Sequence, residues 1–232
     1  MARLGLARPG KAWQGSARLS RAALRCRPLT LHTDPVIDVV IPAHPARERN
    51  GMLARAVASV EAQTVPARAV VELDTTGAGA AKTRNAGLAR AAGEWVALLD
   101  SDDELRPWHL EHLSAHAAHT GADLVYPWFD RVGWPDPWPE RENRPFDEAA
   151  LRRGNYIPMT VLIRRELLLA VGGFRPDLTL APPAQCEDWG TWLRLLDAGA
   201  RFAHLPERTW IWNAHGKNSS GSPLLGDAKV KQ

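Results

Sequence analysis

The order of short apolar runs between residues 36 and 99 constrains this chain most. Val36-Ile37-Asp38-Val39-Val40-Ile41 is a β-branched run stopped by Pro42, Ala69-Val70-Val71-Glu72-Leu73 is a second, and Trp95-Val96-Ala97-Leu98-Leu99 is a third. Between the first two, Met52 to Gln63 sets Leu53, Ala56, Val57 and Val60 at helical spacing before Thr64-Val65-Pro66. Between the last two, a segment carrying Arg84, Asn85 and Leu88 ends at Gly93. Short β-branched runs predict strands and a 3.6-residue period predicts helices. The resulting β-α-β-α-β alternation predicts an α/β fold, a mostly parallel Rossmann-like sheet flanked by helices and joined by right-handed crossovers. Sheets of this kind bind ligands outside the carboxyl ends of their strands.

The third strand runs straight into Asp100-Ser101-Asp102-Asp103, so three carboxylates reach the edge where a ligand is expected. Acids this close repel one another, and a divalent cation with hard oxygen ligands relieves that repulsion and in turn holds a diphosphate. The competing reading is a solvated turn in which Asp102 or Asp103 caps a helix beginning near Leu105-Arg106-Pro107. Residue types alone leave both open. Gly77-Ala78-Gly79 is not a dinucleotide loop, because Lys82 stands where the GxGxxG spacing needs its third glycine.

Further along, Trp108 to His119 predicts a helix and Ala122 to Tyr126 a strand, while the proline- and tryptophan-rich stretch 127–147 predicts a long irregular loop. Met159 to Ile163 predicts a strand, Arg165 to Val171 a short helix, and Gly172-Gly173-Phe174 a turn. Glu187-Asp188-Trp189 opens a helix that stops at Gly199. His109, His112, His116 and His119 share one helical face, but the HExxH order of a metal helix is missing, so they are assigned to the flank of an amphipathic helix. Trp128, Trp134 and Trp138 suit either stacking on sugars and bases or anchoring the loop. Trp189, Trp192, Trp210 and Trp212 are expected to pack around Asp188, with one of them open to the acceptor cleft.

The chain has 232 residues, enough for one full core, and a formal net charge of +3 that is unevenly spread. Residues 1 to 33 carry Arg3, Arg8, Lys11, Arg18, Arg21, Arg25 and Arg27 and no acid. This predicts a flexible basic arm over 1–34, one domain over 35–221 and a frayed tail over 222–232, with nucleic acid or an anionic surface as a candidate contact for the arm. Cys26 and Cys186 form no metal-ligand spacing, which points to a reducing, cytoplasmic setting without zinc. No apolar run approaches bilayer-spanning length, so no membrane span is expected.

The ordered pieces resemble the family 2 glycosyltransferases of the GT-A fold. They are Val39-Val40-Ile41-Pro42, the helix end Ser59-Val60-Glu61-Ala62-Gln63-Thr64, Arg84-Asn85-Ala86-Gly87, Ala92 through Asp103, Gly172-Gly173-Phe174, Glu187-Asp188, and His215 ahead of Ser219-Ser220. The resemblance implies a metal-dependent, inverting transfer of a sugar from a nucleoside-diphosphate sugar to an acceptor hydroxyl. It implies that Pro42, Ala43, His44, Asp74, Arg84, Asp100 and Ser101 bind the nucleotide sugar. Asp102, Asp103 and His215 are the implied ligands of a Mn2+ or Mg2+ ion, and Asp188, beside Glu187, the implied general base. UDP-sugars are the first donors expected, although the Asp74-Thr75-Thr76-Gly77 loop departs from the Asp-Asp-Gly-Ser pattern of many relatives. Lys217 is a further candidate for the diphosphate. The acceptor is left open among glycan, lipid-linked sugar, protein and hydroxylated nucleobase. Two other functions compete: a non-catalytic nucleotide-sugar or glycan-binding module, and a nucleotidyltransferase, which the lack of a Gly-rich, lysine-containing phosphate loop disfavours.

Overall fold

The computed structural model describes residues 37–133, 143–175 and 186–215. The basic arm, the tail, Cys26, Trp134, Trp138, Lys217 and Ser219-Ser220 lie outside the described residues.

Strand β1 (Ile37–Ala43) is buried along its whole length and lies between β2 (Ala67–Leu73) and β3 (Trp95–Leu98), parallel to both. Helix α1 (Pro45–Arg49) and helix α2 (Met52–Glu61) connect β1 to β2, and α3 (Ala80–Arg90) connects β2 to β3. This is the expected β-α-β-α-β half. The carboxyl ends of its three strands present Ala43-His44, Asp74 and the Asp100–Asp103 loop along one edge.

The second half completes a seven-stranded sheet ordered β2-β1-β3-β6-β5-β7-β4. Here β4 is Glu104–Leu105, β5 Leu124–Val132, β6 Leu162–Arg164 and β7 Phe202–Asn213. β6 runs antiparallel to β3 and β5, and β4 antiparallel to β7, while β5 and β7 are parallel. Five strands therefore point one way and β6 and β4 the other. The acid loop leads from β3, mid-sheet, to β4 at the far edge. It does so through a turn closed by Asp103 N–H donating to the Asp100 carbonyl at 3.1 Å. A tight turn cannot cross a flat sheet at about 4.8 Å per strand. The sheet curls, helped by register shifts at Pro127/Trp128 and Trp128/Phe129.

Strand alternation divides the core in two. Val40, Val96 and Leu98 face one layer with Leu88 of α3 and Trp192 of α7 (Glu187–Asp197), whereas Val39, Ile41, Ala97 and Leu99 face the other with Leu53 and Val60 of α2 and Leu113 of α4 (His109–Thr120). At Gly87 a β-carbon would sit 2.7 Å from Val40 Cγ1, so the glycine lets α3 lie directly on β1. Short helices α5 (Glu148–Arg153) and α6 (Arg165–Ala170) cover the α7 side.

Several expectations are corrected. Residues 127–132 are not irregular: they continue β5, with Pro127 at a register shift where no ladder N–H is needed. Trp128 is buried in the core on the α2/α4 side. Trp210 and Trp212 pack on Phe129 in that layer, across the sheet from Trp189 and Trp192 beside Asp188. Asp102 and Asp103 precede a strand and not a helix, since α4 starts at His109 with Trp108 as its cap. His109 is inside the protein, hydrogen-bonded through Nδ1 to Thr209 Oγ1 at 2.8 Å, and burial drives its pKa down to about 3. No helix among the described residues is long and apolar enough to cross a membrane.

Candidate active site

A cleft of about 270 Å³ opens at the carboxyl ends of β2, β1 and β3. Pro42, Ala43, His44, Asp74, Arg84 and Asp100 through Asp103 line it, together with Arg47, Gly79, Ala80, Thr83 and Trp212. Nine residues assigned from the sequence thus meet in one depression, at the end of the sheet where parallel strands deliver their ligands. Asp188 and Glu187 stand at the start of α7, and His215 follows β7.

Two walls are built by backbone chemistry. His44 caps α1, its Nδ1 accepting the Ala46 N–H at 3.1 Å, with Pro45 at the first helical position. The Asp74 carboxylate accepts the N–H groups of Ala78 and Gly79, each at 2.8 Å, and of Thr76 at 3.3 Å. The Gly79 and Ala78 bonds hold its carboxyl below the usual aspartate range. Asp74 therefore shapes the 75–79 loop while it lines the cleft.

Arg84 ties the cleft to α7. Only 5% exposed, its guanidinium donates to Asp100 Oδ1 at 2.7 Å and to Glu187 Oε1 at 2.9 Å, over the Phe174 ring. Asn85, the next residue, exchanges two hydrogen bonds with the Phe174 backbone, donating to the carbonyl at 2.7 Å and accepting the N–H at 2.8 Å. The Arg84-Asn85 pair on α3 thereby binds the Gly172-Gly173-Phe174 turn and the head of α7 at once. Asp188 Oδ2 accepts Asn155 Nδ2 at 3.0 Å, and Oδ1 accepts the Trp189 N–H at 2.7 Å. Burial first, and the Glu187 charge with it, raise the Asp188 pKa, while the Trp189 N–H and Arg84 pull it down.

The acid loop splits by environment. Asp103 is 3% exposed and its Oδ1 accepts the Asn213 N–H at 2.9 Å. Burial, then the charges of Asp100 and Asp102, push its carboxyl well above the usual range. Asn213 also donates to the Asp102 carbonyl at 2.8 Å, stitching the loop to β7. Asp102 Oδ2 lies 2.9 Å from His215 Nε2 and 3.0 Å from Arg47 Nη2. Neighbouring ligands about 2.1 Å from an octahedral divalent ion stand about 3 Å apart. Asp102 and His215 would be the side chains to hold a Mg2+- or Mn2+-type ion here. Among the described residues no group of three or more His, Cys, Asp and Glu side chains is arranged to hold a metal ion.

Arg47, Asn155 and Asn213 escaped the sequence reading, and Trp212, expected around Asp188, lines this cleft. Each reaches the site from a segment without a local motif. Arg47 alone had a signal, a cation just past the carboxyl end of a predicted strand.

A sequence profile described as glycosyl transferase family 2 matches residues 66–176. The succinoglycan biosynthesis protein ExoO of Rhizobium meliloti (strain 1021) is 35% identical over 90 residues, 39% of this chain and 25% of ExoO. The structure of S. aureus TarS 1–349 in complex with UDP-GlcNAc superposes with a TM-score of 0.63 at 17% identity, covering 78% of this chain and 59% of that one. A longer TarS structure gives 0.62 at 18% identity, covering 77% and 36%. The chain thus spans a quarter of ExoO and less than two thirds of the TarS chains. Residues 66–176 thus match glycosyl transferase family 2, and the chain shares the GT-A fold of the TarS structures.

Proposed function

We propose that the chain moves a sugar from a nucleoside-diphosphate sugar, UDP-linked in the first instance, to an acceptor hydroxyl with inversion. The observation that carries this reading is the Arg84 bridge: one buried guanidinium holds Asp100 of the donor cleft and Glu187, the neighbour of Asp188, in a single array. The TarS structures contain UDP-GlcNAc or UDP, and this chain shares their fold.

In this reading the nucleoside lies over His44, Asp74 and Gly79 to Thr83, with Asp100 and Ser101 beside the ribose. Asp102 and His215 would hold a divalent ion, whose positive charge would stabilise the departing diphosphate. Asp103, expected from the sequence at the metal, is buried on the Asn213 N–H and is read here as bracing the loop. Asp188 takes the proton of the acceptor hydroxyl as its oxygen bonds to the anomeric carbon from the face opposite the diphosphate. The bond from that carbon to the diphosphate oxygen breaks with its electron pair, and nucleoside diphosphate leaves. A carboxylate with a raised pKa suits this task better than an ordinary aspartate. Asn155 and the Trp189 N–H orient it.

The test is nucleoside diphosphate release from a panel of UDP-, GDP- and dTDP-sugars, with and without Mn2+. Metal-dependent release from one donor is expected. In Asp188→Asn, donor binding should persist while turnover falls at least about 100-fold, the usual scale for a lost general base. Donor binding without release by the unaltered chain under any condition would favour the binding-module reading. Triphosphate cleavage to pyrophosphate would favour a nucleotidyltransferase.

A further inference from the structure

The oxygen that fits a divalent ion is already in contact with a cation of the protein. Arg47 Nη2 sits 3.0 Å from Asp102 Oδ2, the same atom that faces His215 Nε2 at 2.9 Å. Neither partner is a solvated surface group, since the side chains of Arg47 and Asp102 are 18% and 12% exposed. The contact has a built approach: His44 caps α1, Pro45 starts it, and Arg47 Nη1 lies 3.3 Å from Met52 Sδ at the start of α2. The guanidinium lines the donor cleft together with Asp74, Arg84 and Asp100.

A carboxylate oxygen has two lone pairs, and here a guanidinium and an imidazole approach them. A divalent ion bound at that oxygen has to displace one of them. A guanidinium left beside the ion repels it, strongly so in a half-buried site. The displaced group is also a planar fork suited to phosphate oxygens, and it stands at the mouth where a diphosphate would lie.

We propose that Arg47 is a resident countercation for Asp102 that gives up the carboxylate to the divalent ion and turns to the diphosphate. The proposal rests on the metal assignment made above and adds a consequence to it. The ion by itself competes with Arg47 and binds weakly. The ion with a nucleoside diphosphate gives Arg47 a new anion and binds strongly. Arg47 is thus a source of coupling between the two ligands, and coupling of this kind is reciprocal.

The experiment measures Mn2+ binding to the full chain by the electron paramagnetic resonance of the free ion, with and without UDP. Arg47→Gln, Arg47→Lys and Asp102→Asn are compared with the unaltered chain, and thermal melts check folding. Arg47→Gln should bind Mn2+ alone roughly two- to fivefold more tightly, the range for losing a competing partly exposed ion pair. It should bind UDP in saturating Mn2+ roughly tenfold or more weakly, as expected for a lost charge-assisted contact to phosphate. Arg47→Lys should fall between the two in both titrations. The opposite signs separate this role from a structural one, because general loosening of the site weakens both ligands. If Asp102→Asn abolishes Mn2+ binding while Arg47→Gln leaves both affinities unchanged, or lowers both, the role of Arg47 is overturned and the metal site stands. If Asp102→Asn binds Mn2+ like the unaltered chain, the metal assignment falls and the proposal falls with it.

Discussion

Arg84 and the two acids at the head of α7 make the reading testable residue by residue. Asp188 is raised by burial and by its neighbour Glu187, and lowered by the Trp189 N–H and by Arg84. If Asp188 is the general base, the acid limb of kcat/KM reports its titration and lies above the ordinary aspartate value of about 3.9. Removing a charge on either side then moves that limb in opposite directions. Glu187→Gln deletes a repelling negative charge and should shift the limb to lower pH. Arg84→Met deletes a stabilising positive charge and should shift it to higher pH. Kinetics from pH 4 to 9 check both, and equal or same-direction shifts would dismiss Asp188 as the titrating base. Arg84→Met should also destabilise the fold by about 1–3 kcal/mol, because it strands Asp100 and Glu187; both are about one-third exposed, which limits the loss. Much of this was legible beforehand. Asp188, Asp100 and Arg84 sit in local motifs with their own spacing. Asn155 was not legible, because its only connection to Asp188 is a hydrogen bond across 33 residues of chain.

At the scale of elements, the head of α7 is placed by a clamp from α3. Gly173 has φ +67°, and a β-carbon there would meet Asn85 Oδ1 at 2.4 Å, the atom that accepts the Phe174 N–H. Gly172 also has a positive φ, +84°, but a β-carbon there would find only Arg175 Nε, at 3.9 Å. Gly172→Ala should therefore carry backbone strain alone, about 1 kcal/mol. Gly173→Ala carries the same strain and breaks the Asn85 clamp, for about 2–4 kcal/mol in all. Urea melts of the two variants and of Asn85→Ala check this, with Asn85→Ala expected beside Gly173→Ala; equal losses at Gly172 and Gly173 would remove the clamp. The Gly172-Gly173-Phe174 turn was readable in the sequence, but the clamp that explains it was not. The strands divide in a similar way. β1, β2 and β3 are short apolar runs bounded by loops, and their period shows at once. β7 hides because exposed Pro206, Glu207 and Arg208 break its apolar pattern just where it meets the register shifts of β5. α5 is only six residues long, too short for a period, and its one signal is Asp147, whose side chain accepts the Ala150 N–H at 2.9 Å.

Across the whole molecule, the sheet separates the groups that fix strand order from the groups that face the ligand. Asp38 stands near the start of β1, about 16 Å along the strand from Ala43 at the cleft. It is fully buried, and its carboxylate takes two hydrogen bonds from Arg68 of β2, at 2.7 and 3.0 Å, and the N–H groups of Ala92 and Gly93 ahead of β3, at 2.6 and 2.8 Å. One side chain thus pins the starts of three parallel strands. Burial alone would raise its pKa, but the Arg68 pair and the two backbone donors outweigh burial, and the pKa is lowered. A carboxyl lowered on folding stabilises the native state above its unfolded value of about 3.9, and that stabilisation is lost as the pH falls through the folded value. Asp38→Asn keeps the shape, loses the charge and offers one acceptor oxygen where two were used. It should destabilise the protein by about 2–4 kcal/mol near pH 7. The gap between the two chains should narrow below about pH 4, where the native carboxyl begins to resemble the amide. Below the melting temperature the same variant should bind a nucleoside diphosphate as tightly as the unaltered chain, because Arg68, Ala92 and Gly93, which hold the Asp38 carboxylate, are not among the residues lining the cleft. Urea melts at pH 7 and below pH 4, with a calorimetric titration of UDP and Mn2+ at pH 7, check both halves. A gap independent of pH would remove the charge from the explanation. A loss of UDP affinity as large as the loss of stability would show that strand register and the ligand edge are one cooperative unit.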